Sequence, residues 1–466
     1  MPETTLVWLR NDLRISDNPA LADALKHDRP VHALYVLEND RGLRPMGAAA
    51  KAWLHQSLNV LSHALAERGV RLHYQEGESG SLLPRFAKEI NASAIYWNRR
   101  YDPAGRTHDK TLKASLRENG HVVESFNASL LVEPWDIATQ SGTPYGVFTP
   151  FWKTLRDKAI PDPIGRIEKH EKITSPKLDM PKAPFWSDGI FDAWTPGEDS
   201  AKSALAAFLE DALSDYPQGR DVPSRDVTSR LSPYLRHGEI GPRQVWFATR
   251  HLIDANPSRT SAGEKFLSEL AWREFSYHLL FHRPDISQHP MQERFADIDW
   301  RTDTKALHAW QKGQTGIPIV DAGMRQLWTT GWMHNRVRML TASLISKNLL
   351  LDWRKGEQWF WDTLVDADPA NNPASWQWVA GCGADAAPYF RIFNPVTQGE
   401  KFDPNGDYVR QWVPELSDLP DKWVHKPADA PGSVLAQSGV ELGKTYPKPI
   451  VDLKTSRTRA LEALAR

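Results

Sequence analysis

The stretch VHALYVLENDRGLRPMGAAAKAWLHQSLNVLSHALAERGVRLHYQEG, residues 31–77, decides the first half of the fold. VHALYVLE (31–38) reads as a strand. Residues 48–69 follow as a long amphipathic helix, with Trp53, Leu54, Leu58, Leu61 and Leu65 on one side and Gly69 placed to end it. RLHYQEG (71–77) is a strand again. A strand, a crossover helix and a second strand make the repeating unit of a parallel sheet.

The same alternation extends on both sides. TLVWLR (5–10) reads as a strand, and Asp17-Asn18-Pro19 opens a helix that runs to Leu25. SLLPRFAKEI (81–90) is helical, ASAIYWNRR (92–100) a strand, RTHDKTLKASLRENG (106–120) helical and HVVESFN (121–127) a strand. Five strands with helical crossovers predict a doubly wound parallel α/β domain over residues 1–130. No G-x-G-x-x-G follows the first strand, so the usual dinucleotide fingerprint is absent there. Residues 131–198 are rich in Pro and poor in periodicity, which predicts a long connection wrapped over the surface. From 199 to 466 the spacing turns helical and stays so, predicting a larger all-α domain.

Composition narrows the class. The chain has 466 residues, too many for one core. Hydrophobic residues make up 41% and charged residues 25%, the balance of a soluble globular protein. No apolar run is long enough to cross a membrane, and the start lacks a secretory pattern, so a cytoplasmic setting is expected. A single cysteine, Cys382, excludes internal disulfides and Cys-rich metal sites. A net charge of −1 means that nucleic-acid binding would need a local basic patch. The 20 tryptophans are the unusual count.

Four motifs carry candidate chemistry. TSRLS (228–232) sets three hydroxyls beside Arg230, just before a helical stretch. Free N–H groups at a helix start suit a phosphate, although N-capping alone accounts for one hydroxyl. FLSELAWREF (266–275) places Glu269, Trp272 and Arg273 within one turn; Glu269 and Arg273 are spaced to pair across that turn. TTGWMHNRVRML (329–340) is a basic, aromatic patch with His334, Asn335, Arg336 and Arg338. DADPANNPASWQW (366–378) collects Asp366, Asp368, Asn371, Asn372, Trp376 and Trp378, and the following GADAAPYFRIFNP brings Arg391 between aromatics. Carboxylates, amides and large rings so close together suit a flat, partly polar ligand that carries phosphates. Two carboxylates without a His pair argue against a metal.

Taken together, TSRLS, SELAWREF, WMHNRVRM, DWRKGE, DADPANNPASWQW and GADAAPYFRIFNPVTQGEKFDP resemble the photolyase/cryptochrome flavoproteins, and LVWLRNDLRISDNPAL resembles that family's start. The resemblance covers nearly the whole chain. It implies an N-terminal antenna domain and a C-terminal helical domain holding FAD. It assigns Tyr216, Thr228, Ser229, Leu231, Ser232, Phe266, Arg273, Arg338, Asp366, Asp368 and Asn372 to FAD, with Phe266 standing where many relatives carry Trp. Trp376, Trp353 and Trp300 match the family's chain for reducing the flavin. Glu269, Trp272, Asn335, Met339 and Trp378 match the lesion pocket, with Glu269 and Asn335 against the reacting dimer; Arg220, Arg336, Arg338 and Arg391 are candidate contacts to the DNA backbone. Relatives that repair the 6–4 photoproduct tend to carry His where this chain has Asn335 and Met339. The resemblance therefore implies light-driven repair of cyclobutane pyrimidine dimers, with a cryptochrome-type photoreceptor or 6–4 repair as the alternatives. It further implies a monomer that acts on UV-damaged DNA with no metal, membrane or obligate protein partner. A second chromophore, methenyltetrahydrofolate or 8-hydroxy-5-deazaflavin, is expected against residues 38–58.

Overall fold

Strand β1 (Thr4–Leu9) occupies the centre of a parallel sheet. It pairs with β2 (Val31–Glu38) on one side and β4 (Ala92–Asn98) on the other; β3 (Arg71–Gly77) and β5 (Val122–Phe126) complete the order β3-β2-β1-β4-β5. The expected doubly wound sheet is therefore present. The pleat sends alternate residues to opposite faces. Val7 and Leu9 share one apolar layer with Leu54, Leu58, Leu61 and Leu65 of the helix Ala48–Ala66. Leu6 and Trp8 join Leu83 and Phe86 of Ser79–Glu89, and Leu112 and Leu116 of Pro103–Glu118, on the other face. Each such aliphatic side chain contributes about 1.5–3 kcal/mol on burial, which is why the strands read as near-continuous apolar runs.

The computed structural model describes residues 2–168, 171–182, 184–386 and 391–465. They divide into two compact units. The first comprises Met1–Ser187, Trp194–Ser214 and Ser229–Pro284, and the second Asp188–Ala193, Asp215–Thr228 and Asp285–Arg466. Much of the chain between 198 and 284 thus clusters with the sheet. Polar bonds that periodicity cannot show tie it there. Glu198 accepts the backbone N–H of Ile15 at 2.6 Å, Arg243 pairs with Asp17 at 2.7 Å, and the Trp53 indole donates to Glu239 at 3.1 Å.

The polar start of the chain has a structural use. Arg10 is buried and donates to both oxygens of Asp109 (2.9 and 2.7 Å) and to the carbonyl of Asn98. Arg14 reaches the carbonyls of Gly238, Asp17 and Ala128. Buried charges persist only with such partners. Among the described residues Glu38, Asp40 and His108 lie close enough to suggest a metal. Asp40 already accepts the backbone N–H groups of Ser79 and Gly80 (2.8 and 3.1 Å), Glu38 accepts from Arg100 (2.7 Å), and the Ser79 hydroxyl lies 2.8–2.9 Å from all three side chains, so the cluster is knit by hydrogen bonds.

The connection is more ordered than its composition predicts. Within it the helix Phe148–Arg156 buries Phe148, Phe151 and Leu155, so this part packs inward instead of wrapping over the surface. The second unit is helical. Trp310, Trp353, Phe360 and Trp376 are buried in its main core, and Trp300 packs against that core. Among the described residues no helix is long and apolar enough to cross a membrane.

Candidate functional site

In the second unit, α1 (Asn335–Ser343) begins at His334, whose Nδ1 accepts the backbone N–H of Arg336 at 3.2 Å. Burial pushes His334 down to about 4, so the ring is neutral near pH 7 and serves as a cap. Arg338 donates to both oxygens of Asp366, at 3.1 and 2.8 Å, and to the carbonyl of Met333 at 2.7 Å. This two-pronged geometry is the one guanidinium and carboxylate favour. Arg336 pairs with Asp221 at 2.8 Å and lies over the Phe402 ring. Asn335 and Met339 share the face one turn apart, with the Asn335 amide 4.0 Å from the Met339 sulfur.

Asp368 has a different task. Its Oδ1 accepts the N–H groups of Ala370 (2.8 Å) and Asn371 (2.6 Å), and its Oδ2 accepts the Asn371 side chain (2.6 Å). It thereby fixes the entry to α3 (Asn371–Ala380). Asn372 Nδ2 donates to the carbonyl and carboxylate of Glu357, at 3.0 and 2.8 Å. Glu357 belongs to α2 (Trp353–Thr363). With the amide nitrogen held this way, the Asn372 carbonyl oxygen is the atom left to accept a hydrogen bond.

These groups meet in one cavity lined by Asn335, Arg338, Met339, Asp366, Asn372 and Trp376, with Phe360, Leu364, Asn371 and Val379 among its other walls. The cavity holds about 510 Å³ between atoms, part of it open to solvent. Its floor is aromatic: Trp376 meets Phe360 at 5.0 Å and Trp310 at 6.2 Å, edge to face in both cases. Gly356 makes room for this ring, since a Cβ there would lie 2.2 Å from the indole. Gln377, set between Trp376 and Trp378, is no ligand candidate. It is fully buried, accepts the N–H of Met291 at 2.8 Å and donates to the carbonyls of Ile286 and His289. Trp378 is half-buried. Trp353 is buried in the core that holds Trp376.

Also in the second unit, Tyr216 is buried under the Arg220 guanidinium at 5.4 Å, and Thr228 is half-buried. Arg391 is exposed, and its carbonyl accepts from the buried Lys347 at 2.7 Å. Tyr389 and Phe390 of that motif lie outside the described residues.

In the first unit Glu269 accepts from Lys265 at 2.9 Å, one turn before it, in place of the expected partner Arg273. Arg273 instead donates to the carbonyl of Ser129 (2.7 Å) and to Glu274 (3.2 Å). Burial raises Glu274 to about 7, against the opposing pull of Arg273. Phe266 packs on Phe208 at 4.6 Å. Trp272 lies flat on Phe148, a contact the helical pattern of 266–275 could not reveal. Around TSRLS, Arg230 has a left-handed φ of 49° and its guanidinium covers Trp194 at 4.2 Å. Leu231 is buried, Ser229 half-buried and Ser232 exposed. A second cavity of the first unit is lined by Leu37, Ala52, His55, Tyr74, Met180 and Trp186, among others.

A family profile described as "FAD binding domain of DNA photolyase" matches residues 266–466, and one described as "DNA photolyase" matches 5–169. A deoxyribodipyrimidine photo-lyase of Agrobacterium fabrum is 50% identical over 474 residues, covering 99% of this chain and 97% of its own. The chain belongs to the photolyase/cryptochrome family. Cryptochrome-1 of Arabidopsis thaliana is 38% identical over 99% of this chain and 70% of its own length. The crystal structure of a bacterial class III photolyase from Agrobacterium tumefaciens superposes with a TM-score of 0.94 at 48% identity, covering 100% of this chain and 98% of that one. The two-part family architecture expected from the motifs is thus present, and an FAD-binding domain is part of it.

Proposed function

We propose that the chain is a light-dependent lyase that splits cyclobutane pyrimidine dimers in UV-damaged DNA. The observation that carries this reading is one cavity that gathers Asn335, Arg338, Met339, Asn372 and Trp376 from two helices and Asp366 from the turn that precedes the second of them. Its mixed lining, apolar rings beside amides and a guanidinium–carboxylate pair, fits the edge and face of an isoalloxazine. Bound FAD in its reduced form supplies a light-driven one-electron donor. On this reading Arg273, Arg338, Asp366, Asp368 and Asn372 surround the flavin and ribose. Tyr216, Thr228, Ser229, Leu231, Ser232 and Phe266 take the remainder of the cofactor. Asn372, its amide nitrogen held by Glu357, would offer its carbonyl oxygen to the flavin at N5.

Glu269, Trp272, Asn335, Met339 and Trp378 would line the pocket for the extruded dimer. Aromatic walls suit its methyl side and polar groups its carbonyl edge; photolyases are among the enzymes known to work on flipped bases. Arg220, Arg336 and Arg391 would contact phosphates, so affinity should fall as salt rises. Trp376, Trp353 and Trp300 would relay electrons to the flavin, in agreement with their shared core. The cavity beside Ala52 and Trp186 is our candidate for the antenna chromophore, methenyltetrahydrofolate or a deazaflavin. We assign 1–130 to the antenna, 131–198 to the connection and 199–466 to FAD and DNA, and expect a cytoplasmic monomer.

The test is repair of an oligonucleotide containing one thymine dimer by flavin-loaded, reduced protein. Restoration of the two thymines under blue light and none in darkness supports the lyase. Tight flavin binding with no repair would instead favour a cryptochrome-type photoreceptor, and repair of 6–4 products alone the other alternative.

A further inference from the structure

We propose that Phe148, which lies in the connection between the two halves of the sequence, is a positioning residue for lesion recognition: it holds the Trp272 indole in the orientation that receives the dimer. This inference rests on the reading of Trp272 as a wall of the lesion pocket. The two rings are stacked almost parallel, with centroids 3.8 Å apart and an interplanar angle of 8°. Phe275 meets the same indole from the side, at 5.8 Å and 76°. Trp272 is only half-buried, whereas Phe148 is 8% exposed. The buried ring is therefore the fixed surface, and the indole rests against it.

Phe148 is itself anchored. It begins the helix Phe148–Arg156, whose Phe151 and Leu155 are fully buried. Phe151 packs on Phe275 at 5.2 Å, and the backbone N–H of Tyr145 donates to His278 at 2.9 Å. Both Phe275 and His278 lie on the helix Thr260–His282 that carries Trp272. The stack thus joins two segments that are already locked together. A half-exposed tryptophan without this support would sample several rotamers and lose that freedom on binding a ligand. Holding it beforehand removes that loss, which is the general effect of a supporting shell behind a recognition residue.

The experiment measures dimer binding in darkness by FAD-loaded full-length protein, alongside repair per bound complex in light. Phe148→Ala should weaken affinity for a thymine-dimer oligonucleotide by about 3- to 10-fold, the scale of one aromatic stack and one immobilised side chain. Affinity for undamaged DNA and repair per bound complex should stay unchanged. Phe148→Tyr should restore binding. Phe148→Leu retains most of the buried volume without a parallel ring, and should behave like the alanine variant even if the latter folds poorly. In Trp272→Ala protein, the Phe148 substitutions should add no further loss. If they weaken binding equally with or without Trp272, or leave dimer affinity intact while Trp272→Ala lowers it, the inference is wrong. If Trp272→Ala itself binds dimers normally, the lesion-wall reading fails first.

Discussion

Substituting Gly356 by Ala tests how tightly the cavity floor is built. Gly356 lies within the helix Trp353–Thr363, where alanine is intrinsically favoured by about 1 kcal/mol. Packing opposes that gain. The added methyl would lie 2.2 Å from the Trp376 ring tip, against 3.4 Å for an ordinary contact, so the indole must retreat by about 1.2 Å. Phe360 and Trp310 already stand against that ring, so it cannot move alone. Overpacking of this kind costs about 1–3 kcal/mol. The expected balance is a net loss of up to about 2 kcal/mol, seen as a thermal midpoint lowered by up to roughly 8 °C for a unit of about 200 residues. The displaced ring also belongs to the proposed relay, so light-driven reduction of bound FAD by an external donor should slow. Gly432→Ala, at a helical glycine with open space around it, is the control and should be neutral or stabilising by about 0.4–1 kcal/mol. A Gly356→Ala protein at least as stable as the parent, with unchanged reduction kinetics, would refute the reasoning.

Trp376→Phe should slow photoreduction of the flavin while leaving repair intact when FAD is reduced chemically beforehand; equal photoreduction rates would remove Trp376 from the relay. Arg338→Met leaves Asp366 without its guanidinium. Because Arg338 is 24% exposed, the loss should fall near the lower end of the roughly 3–5 kcal/mol typical of broken buried pairs, with reduced FAD content, as read by calorimetry and flavin absorbance. Glu239 is raised by burial to about 8, against 4.5 as its ordinary value. The folded state therefore keeps a proton that the unfolded chain releases, and this contribution to stability falls as pH rises from 4.5 to 8, by roughly 1 kcal/mol per pH unit. Glu239→Gln should gain on the parent across that window in urea titrations, and a constant difference between the two proteins would contradict the assignment.

Strands and helix faces were legible because each rests on a local period. Leu54, Leu58, Leu61 and Leu65 repeat at helical spacing and do lie in one layer. The candidate site residues stand out as motifs, and six of them line one cavity. What escaped the sequence depends on distant partners. Glu269 and Arg273 have the spacing of a pair, but Lys265 and Ser129 offer the bonds made. Glu357 carries no mark in DWRKGEQ to show that it orients an amide fifteen positions away. The segment around Phe148 looked like loose connection because its prolines dilute the apolar spacing, although three of its side chains are buried.

The histidine that begins Asn335–Ser343 has one more consequence. Its proton is lost well below neutrality, so the cap carries no charge of its own near pH 7, and the charged groups at that helix start are Arg336 and Arg338, paired with Asp221 and Asp366. The imidazole therefore adds no positive charge to this helix start in the range in which a free imidazole would titrate. Whatever acidity dependence the protein shows there does not originate in this ring.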